Sequence, residues 1–151
     1  MSTRSWPRWH HRNQLVNLRE VAPGLWVGAY KSQRHIPAGK WGLIVDLYGV
    51  SKPWDADVLM SRPFDDGEYI PNGLLDEVEE AVWKTRHDGK PVLIHCQAGF
   101  SRSVSIAYAM LRVIDGFSHE EALRRVRSDD DPYFPRKATL SSAIRWVEDR
   151  S

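Results

Sequence analysis

Residues 92–114 read VLIHCQAGFSRSVSIAYAMLRVI, and they form the most informative stretch of the sequence. The run VLIH at 92–95 is largely apolar and predicts a short strand. The run at 104–114 is apolar on nearly every side, which is typical of a central buried helix. Between the two runs, five residues separate Cys96, the single cysteine of the sequence, from Arg102. The sequence therefore predicts a strand, a tight loop and a helix in direct succession.

The flanking segments predict an α/β fold in which a mixed central sheet is covered by helices. Further strands are predicted at 24–30, 42–49 and 56–60, and a loop rich in proline and glycine at 61–73. Apolar residues recur at helical spacing after Gly73, in Leu74, Leu75, Val78, Ala81 and Val82. SHEE at 118–121 has the pattern of a capping box that begins a helix. A last amphipathic helix is predicted from Leu140, Ala143, Ile144 and Val147.

Length and composition predict one domain and give no support to several functions. The 151 residues are enough for a single core, so we expect a polar tail at 1–18 and one domain at 19–151. The 21 Lys and Arg against 20 Asp and Glu give a net charge of +1, which gives no reason to expect binding to nucleic acid or to a membrane surface. No apolar run approaches the roughly 20 residues that span a bilayer. A lone cysteine indicates a reducing compartment, and we expect a cytoplasmic monomer.

The loop around Cys96 has the features of an anion site with a nucleophile. A tight loop that enters a helix turns successive N–H groups inward, and the helix dipole adds positive charge there. The same field favours the thiolate form of a cysteine, which is the nucleophilic form. Arg102 can hold two phosphate oxygens at once with its planar guanidinium. Ser103 follows it and is placed to donate to the sulfur, while His95 is expected to orient the loop.

Each of these residues also has an ordinary structural explanation. Cys96 could be a buried apolar residue, His95 a satisfied core histidine and Arg102 a surface charge. Consecutive carboxylates at 129–131 lack the spaced ligands of an ion-binding loop, so we expect no metal site. The combination of cysteine and arginine at the two ends of one loop, between an apolar strand and an apolar helix, favours the catalytic interpretation.

The sequence His95-Cys96-x5-Arg102-Ser103 resembles the signature of cysteine-based protein phosphatases, and HCQAGFSRS is similar to that of the dual-specificity branch. The segments GLWVGAY, GLIVDLYG, SHEEALRRVR and PYFPRKATL are similar to strands and helices of the same branch. The resemblance implies a phosphotyrosine-phosphatase-like fold and a phosphoprotein substrate. It also implies hydrolysis through a phosphocysteine without a metal or cofactor.

The resemblance further implies a general acid, an aspartate on a loop about thirty residues before the cysteine. Asp65 and Asp66 both lie at that distance. We favour Asp66 because it precedes Gly67, which suits a turn. Asp65 remains the alternative.

The variable residues of the loop bear on the substrate. They are expected to bind the phosphate group, and they are Gln97, Ala98, Gly99, Phe100 and Ser101. None is basic, which favours a monophosphorylated substrate, although Arg62, Arg136 or Lys137 could add charge from elsewhere. Phe100, Tyr69 and, more weakly, Trp54 are candidates to contact an aromatic substrate. The alternative substrates of a phosphatase are a phosphoinositide, an RNA 5′ end or a sugar phosphate. The alternative classes of protein are a catalytically silent module that binds phosphorylated partners and a sulfur-transfer or Cdc25-like domain.

Overall fold

The computed structural model describes residues 18–30, 32, 40–49, 56–97, 101–127 and 135–150. Its strands are β1 (Arg19–Ala22), β2 (Leu25–Ala29), β3 (Trp41–Asp46), β4 (Ala56–Ser61) and β5 (Val92–Cys96). Its helices are α1 (Leu74–His87), α2 (Arg102–Val113), α3 (His119–Val126) and α4 (Lys137–Asp149). The mixed α/β architecture predicted from the sequence is therefore confirmed.

The strands form one sheet in the order β1-β2-β5-β3-β4. β5 lies at its centre and runs parallel to β2 and β3, and β4 is parallel to β3. β1 is antiparallel to β2. Because the four parallel strands point the same way, Ala29, Asp46, Ser61 and Cys96 all lie at one edge of the sheet. This edge, formed by the carboxyl ends of the strands, is therefore where the segment that follows Cys96 begins.

β1 was not predicted from the sequence. It forms a hairpin with β2 around the turn Pro23-Gly24, and Gly24 has a φ of +79°, which glycine adopts without strain. The side chain of Glu20 accepts a hydrogen bond from Gly24 N at 2.9 Å and stabilises the turn. The Pro-Gly dipeptide was the available signal, but the four residues REVA before it are too short and too mixed to show a period.

The core lies between the sheet and the helices. α2 is its central element, since all ten of its residues from Arg102 to Leu111 are buried. The sequence predicted a buried helix at 104–114, and residues 112–114 are half-buried. A smaller cluster of Trp41, Ile44 and Leu93 lies apart from the main core, with Leu18 packed against it. Within the described residues, no helix is long and apolar enough to cross a membrane.

Local capping explains where the later helices begin. Ser118 is the N-cap of α3, and its Oγ accepts a hydrogen bond from Glu121 N at 3.2 Å, which is one of the two bonds of the predicted capping box. The Glu121 carboxylate instead pairs with Arg124 and Arg125. In α4, Ala143 and Val147 are buried, and Leu140 and Ile144 pack partly against the core. α4 also contacts α2, so the C-terminal helix reaches the element that begins at the candidate site.

Candidate active site

Cys96 is the last residue of β5 and is almost fully buried, at 3% exposure. Its Sγ lies 3.3 Å from Ser103 Oγ, on the second residue of α2, which is within hydrogen-bonding distance for sulfur. The sulfur is therefore held at the amino-terminal end of a buried helix. There the positive end of the helix dipole and a hydroxyl are both available to a negative charge.

Arg102 begins α2 and is 93% buried, because only 7% of it is exposed. Its Nη1 donates to two carbonyl oxygens, Leu47 O at 3.0 Å and Phe64 O at 2.7 Å. Its Nε is buried and has no hydrogen-bond partner among the described residues. A buried guanidinium with an unsatisfied donor is costly, and an anion that accepts from it would remove that cost.

His95 and Asp46 are fully buried side by side at the ends of β5 and β3. His95 Nε2 lies 3.6 Å from Asp46 Oδ1, and the His95 carbonyl accepts from Leu47 N at 2.9 Å. Burial lowers the pKa of His95 below its usual 6.5, and the nearby Arg102 charge acts in the same direction. Asp46 and a hydrogen bond to the Cys96 backbone oppose this shift without cancelling it. His95 is therefore neutral at pH 7.

We expect the depressed pKa of His95 to make folding stability sensitive to acid. Below about pH 6.5 the unfolded chain takes up a proton on His95 that the folded protein does not, so the free energy of unfolding falls as the pH falls. One such group contributes a slope of up to about 1.4 kcal/mol per pH unit. Urea unfolding between pH 7.5 and 5 measures this slope for the native protein and for His95→Gln.

The matched control for that measurement is His87→Gln, because His87 is an exposed residue at the end of α1. The native protein and His87→Gln should share the slope, and His95→Gln should have a shallower one. Equal slopes in all three proteins would assign the acid sensitivity to other groups.

Asp46 was not recognised from the sequence as a site residue. Its Oδ1 accepts from Tyr48 N and Gly49 N, both at 2.9 Å, and its Oδ2 accepts from Ser61 Oγ at 2.8 Å. These bonds fix the segment after β3, whose Leu47 carbonyl holds Arg102. The available signal was an aspartate inside the apolar run LIVDLYG, where a buried carboxylate needs several donors.

The two candidate acids lie on the exposed loop after β4. Asp66 Oδ2 is 3.6 Å from Arg136 Nε, and the Asp65 carbonyl accepts from Glu68 N at 3.2 Å. Phe64, immediately before them, bonds to Arg102 through its carbonyl. Both aspartates are therefore close along the chain to a residue that touches the guanidinium, and these contacts do not discriminate between them.

The same loop is docked on α4. Thr139 Oγ1 donates to Glu68 O at 2.7 Å, and Ser142 Oγ accepts from Ile70 N at 3.0 Å. Ser101 Oγ, at the end of the loop 97–101, accepts from Arg136 N at 2.9 Å. The first residues of α4 and Arg136 before it thus contact both the loop after β4 that carries Asp65 and Asp66, here called the aspartate loop, and Ser101 at the start of α2. Thr139 and Ser142 carried no sequence signal of this role, because each bond spans more than 70 residues.

The remaining predicted residues divide into described and undescribed ones. Gln97 O accepts from Tyr30 N at 3.4 Å, and Tyr69 is 68% exposed on the aspartate loop. Arg62 pairs with Glu77, and Lys137 is the first residue of α4. The following fall outside the described residues: the segment 1–17, Trp54, Ala98, Gly99, Phe100 and the aspartates at 129–131.

A mixed sheet whose central strand ends in a cysteine, with an arginine six positions further on at the start of a buried helix, is the arrangement that defines the class of cysteine-based phosphatases. Residues 60–148 match the family model described as dual specificity phosphatase, catalytic domain. The chain belongs to the dual-specificity phosphatase family.

Individual proteins are similar to this chain in sequence or in fold. Dual specificity protein phosphatase 22 of Mus musculus is 27% identical over 116 residues, which cover 74% of this chain and 63% of that protein. This chain therefore matches less than two thirds of the relative's length. The crystal structure of human DUSP28 is similar in fold, with a TM-score of 0.74 at 22% identity. The match covers 88% of this chain and 94% of the DUSP28 chain. A human tyrosine phosphatase-like serine/threonine/tyrosine-interacting protein has a TM-score of 0.73 at 20% identity, covering 88% and 97%.

Proposed function

We propose that the chain hydrolyses phosphomonoesters on proteins, namely phosphotyrosine and phosphoserine or phosphothreonine. The catalytic domain would comprise residues 19–151. The observation that carries this proposal is the arrangement of Cys96 Sγ, Ser103 Oγ and Arg102 around one helix N-terminus. The buried Arg102 Nε, which lacks a partner among the described residues, supports an anionic ligand at this point.

The proposed reaction has two steps. In the first, the Cys96 thiolate attacks phosphorus, the new sulfur–phosphorus bond forms as the bond to the leaving oxygen breaks, and Asp66 gives that oxygen its proton. Arg102 and the loop N–H groups stabilise the charge on the remaining phosphate oxygens. In the second, water attacks phosphorus, Asp66 accepts its proton, and the sulfur leaves as thiolate with release of inorganic phosphate.

The supporting residues have distinct roles in this proposal. Ser103 donates a hydrogen bond from its hydroxyl to the sulfur and so stabilises the departing thiolate in the second step. His95 positions the loop by packing neutral against Asp46. The loop residues Gln97, Ala98, Gly99, Phe100 and Ser101 supply backbone contacts to the phosphate. Because the thiolate has to stay reduced, the activity is proposed for the cytoplasm.

The charges near the site favour a protein substrate with one phosphate. The loop 97–101 contains no basic residue. Of the other candidate cations, Arg62 is engaged by Glu77 at 3.0 Å, and Arg136 lies against Asp66. Further phosphate groups, as on a phosphoinositide or an RNA 5′-triphosphate, would therefore compete with a carboxylate for both of these arginines. Lys137, at the start of α4, is the remaining candidate cation.

The experiment is a panel of rates on phosphotyrosine and phosphothreonine peptides, a phosphoinositide and an RNA 5′-triphosphate, with Cys96→Ser as the blank for each. We expect release of phosphate from the peptides to be fastest and to vanish in the variant. A faster rate on the phosphoinositide or the RNA would show that the compound, and not a phosphoprotein, is the preferred substrate. Tight binding of a phosphopeptide without any release of phosphate would show that the chain is a binding module and not an enzyme.

A further inference from the structure

Two tyrosines meet at the active-site edge of the sheet. Tyr30 directly follows β2, and Tyr48 lies two residues after β3. β2 and β3 flank β5 on opposite sides, with Ala29 paired to Cys96 and Asp46 paired to His95. The rings nevertheless approach to 5.4 Å between centroids, at 44°. The pair therefore crosses the end of β5 close to the start of the loop 97–101, and Tyr30 N bonds to Gln97 O there.

Tyr48 also lies beside the candidate phosphate-binding cation. The guanidinium carbon of Arg102 is 5.7 Å from the Tyr48 ring centroid, within the range of a cation–π contact. Two bonds fix the neighbouring backbone, because Tyr48 N donates to Asp46 and Leu47 O accepts from Arg102. The ring is thus held in place next to the guanidinium before any ligand arrives.

The two rings keep part of their surface outside the core. Tyr30 is 36% exposed, and Tyr48 is half-buried. In phosphotyrosine an aromatic ring is attached directly to the phosphate oxygen, whereas phosphoserine and phosphothreonine carry a small alkyl group there. An aromatic surface beside the phosphate therefore gains contact area and ring–ring geometry only with the aryl ester.

We propose that Tyr30 and Tyr48 form an aromatic wall that contacts the phenyl ring of phosphotyrosine and makes the chain prefer aryl over alkyl phosphate esters. The inference rests on the proposed function and adds the substrate class. The two contacts that place this wall at the site, with Gln97 and with Arg102, belong to Tyr30 and Tyr48.

The test compares phosphotyrosine and phosphothreonine peptides of otherwise identical sequence. Tyr30→Ala and Tyr48→Leu should each lower the ratio of kcat/KM on the phosphotyrosine peptide to kcat/KM on the phosphothreonine peptide by about 5- to 10-fold, the scale of one aromatic contact. Tyr48→Phe keeps the ring and should retain the preference. Trp83→Ala, at an exposed ring stacked on His87, is the control with unchanged rates.

A binding measurement separates failure of this inference from failure of the proposed function. Calorimetry on the Cys96→Ser protein, with phenyl phosphate and an alkyl phosphate as probes, does not require turnover. A preference for phenyl phosphate that Tyr30→Ala and Tyr48→Leu reduce supports the wall even if no peptide is hydrolysed. Equal loss on both esters, or a change of preference in Tyr69→Ala but not in the wall variants, overturns it.

Discussion

Cys96→Ser is expected to lose turnover by about 10⁴-fold or more and to keep its affinity for inorganic phosphate. Serine preserves the size of the side chain, but its hydroxyl is a far weaker nucleophile than a thiolate without a base to activate it. The groups proposed to bind the anion, Arg102 and the start of α2, are untouched by the change. Steady-state kinetics on a phosphotyrosine peptide and calorimetry with phosphate measure the two effects separately.

Ser103→Ala is the comparison variant that shows whether the loss of turnover in Cys96→Ser is specific to the sulfur. It removes the hydroxyl 3.3 Å from Sγ and leaves the sulfur in place. Turnover should fall by much less than in Cys96→Ser, with accumulation of the phosphocysteine if the hydroxyl assists sulfur departure. Undiminished turnover in Cys96→Ser would refute the nucleophile and with it the proposed mechanism.

Asp66→Asn is expected to lower kcat by about 10²-fold or more and to remove the basic limb of the pH–rate profile. An amide cannot protonate the leaving oxygen, so the rate no longer depends on keeping an acid protonated. The effect should shrink on a substrate whose leaving group is already a stable anion, such as 4-nitrophenyl phosphate, because that group needs less help from an acid.

Asp65→Asn is the matched control, since the two aspartates are neighbours on one exposed loop and the substitution is the same. It should keep both the rate and the basic limb within about 2- to 3-fold of the native values, as expected for a solvated surface change. If Asp65→Asn instead shows the large loss and Asp66→Asn does not, the general acid is Asp65.

Much of the site could be predicted because it is local in sequence. The strand Val92–Cys96, the loop and the helix Arg102–Val113 are contiguous, and their apolar runs and the positions of Cys96 and Arg102 are visible without a fold. The N-cap of α3 is equally local, since Ser118 and Glu121 are one turn apart. Such patterns depend on backbone geometry within a few residues, which the residue types specify directly.

The residues that surround the centre of the site could not be predicted, because their contacts are made between segments that are distant in sequence. β1 is a short edge strand that exists by pairing with β2, and its own four residues carry no clear period. Asp46, Thr139 and Ser142 act through bonds to segments as much as 72 residues away. Sequence spacing says nothing about which distant carbonyl or hydroxyl will face a given donor.

Local sequence therefore predicts the centre of the candidate site: one cysteine, and an arginine at a helix N-terminus, with five residues between them. Tertiary structure alone decided what surrounds them, since it set the Leu47 and Phe64 carbonyls against Arg102 and brought Tyr30 and Tyr48 together over the end of β5. The physical reason is that parallel strands from distant parts of the chain end at one edge of the sheet. The residues after each strand thus become neighbours only when the sheet has formed.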